Sequence, residues 1–137
     1  MTHRPQLFQV VLDTTDVRKL AEFYRQFLDL PYRPGDEPPA DGSPDDADWL
    51  VLVTSSGERG LAFQQVDSLP PTTWPSTEVP MQMHLYLTVT DRESLEAARE
   101  HALLLGARLI LDRSDDDEEP LYVLADPAGH PLCIFIV

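Results

Sequence analysis

His84 and Cys133 are the side chains in this sequence whose types best suit metal or proton chemistry. His84 begins the stretch HLYLTVT, in which side chains alternate between two faces, so the imidazole shares its face with Tyr86 and Thr88. An imidazole can bind a metal ion or transfer a proton, and a thiolate is a soft metal ligand. Because Cys133 is the only cysteine, an intramolecular disulfide is excluded and a reducing compartment is favoured.

The segment that carries His84 repeats an earlier one. Residues 7–30 and 82–106 each have the pattern of a strand followed at once by a helix. His84 lies 75 positions after Gln9, and Asp91 lies 75 positions after Asp16, which is a good helix N-cap candidate. Two copies of one strand–helix unit predict an internally duplicated fold.

The remaining elements predict the same order in both halves. Pro31 ends the first helix near Leu30, and residues 90–93 (TDRE) match a capping box before the second. Each half then has the pattern strand–helix–strand–strand–strand, an α+β arrangement with one helix per sheet. The expected modules are residues 1–66 and 81–137, joined by a proline-rich linker at 67–80. The expected strands are 7–13, 49–54, 61–66, 84–89, 108–112, 121–125 and 132–137.

Three segments are expected to lie outside the regular elements. Residues 34–48 are rich in Pro, Gly and Asp, and Asp115 to Glu119 are five consecutive acids, so both loops should stay solvated, although they could rim a cleft. The linker at 67–80 contains four prolines and should be semi-rigid. Its Trp74 is expected to pack against its own half, because an exposed indole is costly.

The net charge of −14 excludes some classes of partner. Nucleic acids and anionic membranes need clustered Lys and Arg, so neither is an expected partner. A cationic ligand would be favoured, although acidity also serves solubility alone. No segment reaches the about 20 apolar residues of a membrane helix, and the first residues lack a signal-peptide core, so a cytoplasmic location is expected.

Three stretches resemble the vicinal oxygen chelate superfamily, which includes glyoxalase I, bleomycin-resistance proteins and extradiol dioxygenases. They are FYRQFLDL at 23–30, after the first strand and Asp16, then HLYLTVTD at 84–91 and LADPAGHPLCIF at 124–135. In this order they most resemble the glyoxalase-like branch. The resemblance implies one domain of two tandem βαβββ modules, whose curled, partly open mixed sheet surrounds a shared concave site, commonly in a homodimer.

In catalytic members of this superfamily, the first and last strands of each module supply metal ligands. Carried over by position, Gln9 and His84 occupy the first-strand sites, and Gln64 and Cys133 the last-strand sites. Alternation along the strands independently places all four opposite the helix-packing faces. The set contains no carboxylate, and His84 with Cys133 would not retain zinc without help, so a divalent metal is possible but no cofactor is expected.

The residues leave three functions open. The preferred hypothesis is a metal-independent protein that binds a small organic molecule, cationic or aromatic, as bleomycin-resistance proteins do. The alternative is a metal-dependent lyase, isomerase or dioxygenase, in which a base would still be required. A structural or regulatory module with an empty cleft is the third. The predicted pocket comprises Gln9, Trp49, Gln64, Trp74, His84, Tyr86, Tyr122 and Cys133.

Overall fold

The computed structural model of the protein describes residues 3–137, and this part of the chain forms two compact units that divide between Asp67 and Ser68. Each unit contains one helix and one mixed sheet that does not close, which confirms the predicted α+β class. Neither helix in residues 3–137 has the length and apolar character needed to span a bilayer. The elements are β1 (Val10–Thr14), α1 (Val17–Phe27), β2 (Trp49–Val53), β3 (Arg59–Gln65), β4 (Leu85–Val89), α2 (Arg92–Leu104), β5 (Arg108–Arg113), β6 (Leu121–Ala125) and β7 (Pro131–Ile136).

The first unit packs α1 on a three-stranded sheet of order β1-β3-β2, with β1 parallel and β2 antiparallel to β3. Asp16 caps the helix as predicted, because its carboxylate accepts the backbone N–H of Lys19 at 3.2 Å. The helix buries one apolar stripe, and the ring of Tyr24 stacks on Phe63 of the central strand at 5.9 Å. This contact fixes which face of the sheet the helix covers.

The second strand of the first βαβββ module, the counterpart of β5 in the second unit, is reduced to a single bridge between Tyr32 and Leu52. Two further backbone bonds support it, from Arg33 N–H to the Val51 carbonyl and from Val53 N–H to the Pro31 carbonyl. Prolines on both sides of the segment donate no backbone N–H, so a longer ladder cannot form there.

The second unit has all four strands, in the order β4-β7-β6-β5, with α2 packed on β7 and β5. The N-cap of α2 is Asp91, whose carboxylate accepts the Ser94 N–H at 2.7 Å. The N-cap therefore lies one residue after Thr90, the position that the capping box predicted, since a charged carboxylate is the stronger acceptor. Gly106 follows the C-cap Leu105 at φ +112°, a left-handed conformation that favours glycine after a helix.

Candidate functional site

The face of the second sheet that turns away from α2 brings several predicted residues together. Tyr86 of β4 lies beside Cys133 of β7, and Cys133 lies beside Val123 of β6. Leu121, Val123 and Cys133 form a small buried apolar cluster. Because side chains alternate along a strand, these residues share one face, and the core on the other face is formed by Leu124, Leu132 and Ile134.

Three aromatic rings lie next to this cluster, on its solvent side. The ring centroids of Tyr86 and Phe135 are 4.2 Å apart with a tilt of 32°, and His84 meets the edge of Tyr86 at 6.1 Å. Tyr86 is 51% exposed, and His84 is also exposed. Large exposed rings in contact with one another offer a surface on which a planar molecule can stack. We call His84, Tyr86 and Phe135 the aromatic face.

Trp74 also packs on the apolar cluster, from the segment predicted to be a linker. The chain holds this segment against the second unit through buried Thr72, whose N–H donates to the Gly129 carbonyl at 3.3 Å. Thr72 Oγ1 donates to the Val79 carbonyl at 2.9 Å and accepts the Trp74 N–H at 3.2 Å. Residues 68–80 thus belong to the second unit, and Trp74 packs within its own half as expected.

Glu119 is the residue at this site that the sequence did not reveal. It belongs to the run of acids expected to remain solvated, yet its carboxylate accepts the hydroxyl hydrogen of Tyr86. This bond raises the pKa of Tyr86, and burial adds to the rise. The sequence signal was weak, because Asp115 to Glu119 are chemically alike and nothing local distinguishes the last of them.

Asp116 folds the acidic run into a defined turn that directs Glu119. Its Oδ1 accepts the backbone N–H groups of Glu118 and Glu119, both at 2.9 Å, and its Oδ2 lies 2.8 Å from Arg113 Nη2. Just before the turn, Asp112 accepts both the N–H and the hydroxyl of Ser114. A carboxylate that binds successive backbone N–H groups is a common way to close a turn.

The Asp116 carboxyl is expected to titrate with a pKa of about 2, and carboxyl carbon NMR measures this directly. The N–H of Glu119, the Arg113 guanidinium and the N–H of Glu118 lower its pKa, in that order. Because the folded pKa lies below the ordinary value of about 3.9, ionised Asp116 stabilises the turn above that pH. The contribution disappears as the pH falls towards the folded pKa.

Arg113→Gln is the matched control for this titration. The Asp116 pKa should rise but stay below the ordinary value, since both backbone N–H donors remain. A wild-type pKa near the ordinary value of about 3.9 would show that the turn is not formed in solution.

Cys133 is only 6% exposed, and its burial raises the pKa of the thiol, with a further rise from the nearby Glu119 charge. A thiol in the protonated form is a poor nucleophile and a poor metal ligand. We therefore assign Cys133 to the apolar floor beneath the aromatic face.

Tyr122 lies on the opposite face of the second sheet from Cys133. Its register partner is Ile134, and its hydroxyl donates to the Glu96 carboxylate of α2 at 2.8 Å. The Arg99 guanidinium lies over the Tyr122 ring, 5.4 Å from the ring centroid. The structure therefore separates Tyr122 from the other predicted pocket residues of this unit, since its ring and hydroxyl contact Arg99 and Glu96 of α2.

The first unit holds the other three predicted residues, Gln9, Trp49 and Gln64. Trp49 pairs directly with Gln64, and Trp49 packs on a cluster on the side away from α1, formed by Val51, Val53 and Ala62. Gln9 precedes β1 and is half-buried; its Oε1 is buried without a hydrogen-bond partner among the described residues. Asp13 is the register partner of Gln64, so this face carries a carboxylate that the predicted ligand set omitted.

Hydrogen bonds hold the 34–48 loop beside Trp49. Arg18 Nε donates to Asp45 Oδ2 at 2.7 Å, and Nη1 donates to the Asp36 carbonyl at 2.7 Å. The Asp36 carboxylate accepts the Val51 N–H at 2.9 Å. Loop and strand together enclose a shallow cleft of about 200 Å³ whose lining includes Trp49 and Arg18.

The predicted metal ligands do not make a metal site by their chemistry. In the first unit Gln9 and Gln64 are neutral amides, which are weak ligands. In the second unit burial raises the pKa of the Cys133 thiol and disfavours the thiolate that a metal needs, which leaves His84 as the one strong donor of the set. Within residues 3–137, no group of three or more His, Cys, Asp or Glu side chains is arranged to hold a metal ion. The residues present do not fit the metal that the fold suggests.

A duplicated α+β chain with one helix on each open mixed sheet defines a class of small domains built from paired modules. The family model described as "Glyoxalase-like domain" matches residues 9–135. The chain therefore belongs to the glyoxalase-like family of the vicinal oxygen chelate superfamily, as its motifs suggested. Among the curated proteins compared, none matches the sequence significantly.

Solved structures share the fold at low sequence identity. A glyoxalase/bleomycin resistance protein/dioxygenase family enzyme from Burkholderia phytofirmans PsJN is 18% identical, with a TM-score of 0.67 over 95% of this chain and 97% of that chain. The fosfomycin resistance protein FosX from Listeria monocytogenes is 14% identical, with a TM-score of 0.67 over 98% and 94%. A mutant of FosX was solved with Mn(II) and a dihydroxypropylphosphonic acid; it is 15% identical, with a TM-score of 0.67 over 99% and 93%.

Proposed function

We propose that the protein binds a small organic molecule with a planar ring on the aromatic face of its second unit, without a catalytic metal. The observation that carries this proposal is the exposed ring of Tyr86, which is in contact with Phe135 and His84 above an apolar floor. Stacking on such rings is favourable for any flat ligand and needs no metal. The bound phosphonic acid in FosX supports a small-molecule ligand for this fold.

The donor chemistry supports metal independence. An enzyme that polarises two vicinal oxygens would use strong ligands to hold its cation and a base to move a proton. His84 is the one residue of the predicted set suited to either role, and it cannot serve both at once. The alternative of a divalent-metal lyase, isomerase or dioxygenase rests on fold neighbours such as FosX alone.

Calorimetry against a panel of cationic aromatic antibiotics and neutral heteroaromatic metabolites, with and without EDTA, tests the proposal. Tyr86→Ala is expected to weaken any ligand found by about tenfold, because it removes the exposed centre of the stack. Phe8→Ala is the matched control, since Phe8 is also an exposed ring (67%) but lies in the first unit. EDTA should leave the affinity unchanged.

Two results would contradict this proposal. Equal losses of ligand affinity in Tyr86→Ala and Phe8→Ala would show that the ligand does not bind on the aromatic face. Stoichiometric zinc, iron, manganese or nickel in protein purified without chelators, and lost in His84→Ala, would establish the metal-dependent alternative.

A further inference from the structure

Glu119 places a fixed negative charge against the aromatic face. Its carboxylate accepts the Tyr86 hydroxyl, and two backbone bonds to Asp116 hold the turn from which it projects. The same charge also raises the pKa of the Cys133 thiol in the floor, after the larger effect of burial. A ligand that stacks on Tyr86 must therefore lie beside this carboxylate.

The surrounding charge is almost entirely of one sign. Residues 112–119 contain six acids and one base, Arg113. Arg113 Nη2 is engaged with Asp116 at 2.8 Å, and so this guanidinium is already neutralised by a neighbouring carboxylate. Such a field attracts organic cations and repels anions of the same shape.

We infer that Glu119 is a specificity-determining residue, which selects ligands that carry a protonated amine close to a planar ring. This inference rests on the proposed function, because it assumes a ring stacked on the aromatic face. The ring would contact Tyr86 and Phe135, and the ammonium group would donate to the Glu119 carboxylate. The Tyr86 ring adds attraction for the same cation.

Tryptamine, tryptophol and indole-3-acetate test the inference, because they share an indole and differ in carrying a cation, a neutral hydroxyl and an anion. Amide NMR titrations of the full chain give each dissociation constant and locate the bound probe. Tryptamine should bind wild-type protein about three- to tenfold more tightly than tryptophol, and indole-3-acetate more weakly than both. Glu119→Gln should abolish the preference for tryptamine and leave tryptophol unchanged.

Glu118→Gln is the matched control, because it removes the same charge from the adjacent position and should change tryptamine binding by less than about twofold. Equal losses of tryptamine affinity in Glu119→Gln and Glu118→Gln would overturn the inference. They would show that the overall negative charge of the acidic run, and not Glu119 itself, attracts the cation. Equal binding of all three probes at Tyr86 would overturn it as well, while leaving the proposed function in place. If no probe perturbs Tyr86 or Phe135, the inference is wrong, whereas the proposed function is decided separately by the calorimetry panel.

Discussion

Phe63→Ala is expected to lower the free energy of unfolding of the first unit by about 3–5 kcal/mol. Phe63 is fully buried in the central strand β3, where its ring stacks on Tyr24 of α1 at 5.9 Å. Truncation removes that contact and leaves a cavity that neighbouring strands on both sides cannot fill without losing their own hydrogen bonds. Urea denaturation followed by circular dichroism measures the loss.

Phe63→Leu separates cavity formation from loss of the aromatic pair. It keeps most of the buried apolar volume, so a cost of about 1–2 kcal/mol is expected. If the alanine variant lost no more than the leucine variant, the Phe63 side chain would not be packed in the core between α1 and the sheet.

The sequence predicted the duplicated architecture because the signals for it are local. The period-2 alternation around His84 and the N-cap carboxylate Asp16 each depend on near neighbours in the chain, and the 75-residue spacing compares two such local patterns. The start of β1 depends instead on pairing with a strand that is distant in the chain. The expected strand began at residue 7, whereas β1 begins at Val10, because its ladder pairs Val10 with Leu61 at the start of the contact with β3.

The candidate site was predictable only where polarity alternates. His84, Tyr86 and Thr88 alternate with apolar residues, so their shared face could be derived. Tyr122 lies in LYVLA, where all five residues are buried, so its side is fixed only by the register with β7. Neither hydrophobicity nor residue type carries that information.

Glu119 and Trp74 depend on contacts between distant segments. Glu119 meets Tyr86 across 33 residues, and the contact exists because Asp116 closes a turn. Prolines suggested a linker around Trp74, but the bond from Thr72 to Gly129 docks that segment on its own unit. Composition predicts stiffness and solvation well, and it predicts docking partners poorly.

Gly129 is the point at which the Trp74 segment is most sensitive to change. Its φ is +95°, and a Cβ added there would lie 2.4 Å from Pro71 Cβ and 2.7 Å from Pro71 Cα. Pro71 adjoins Thr72, whose N–H bonds to the Gly129 carbonyl, so neither side of the contact can move without breaking that bond. Gly106, in the same unit, has φ +112° and would place its Cβ 3.6 Å from Pro127 Cγ, an ordinary contact.

Gly129→Ala is therefore expected to destabilise the second unit by about 2–4 kcal/mol, because it adds both backbone strain and a steric clash. Gly106→Ala is the control: it adds the backbone strain without the clash and should cost about 1 kcal/mol. Displacing residues 68–80 should also lift Trp74 from the floor that contains Cys133. Since Cys133 is the only thiol and is 6% exposed, its reaction rate with Ellman's reagent reports the uncovering directly. Equal stability and equal thiol reactivity in the two variants would show that the segment is not docked at Gly129.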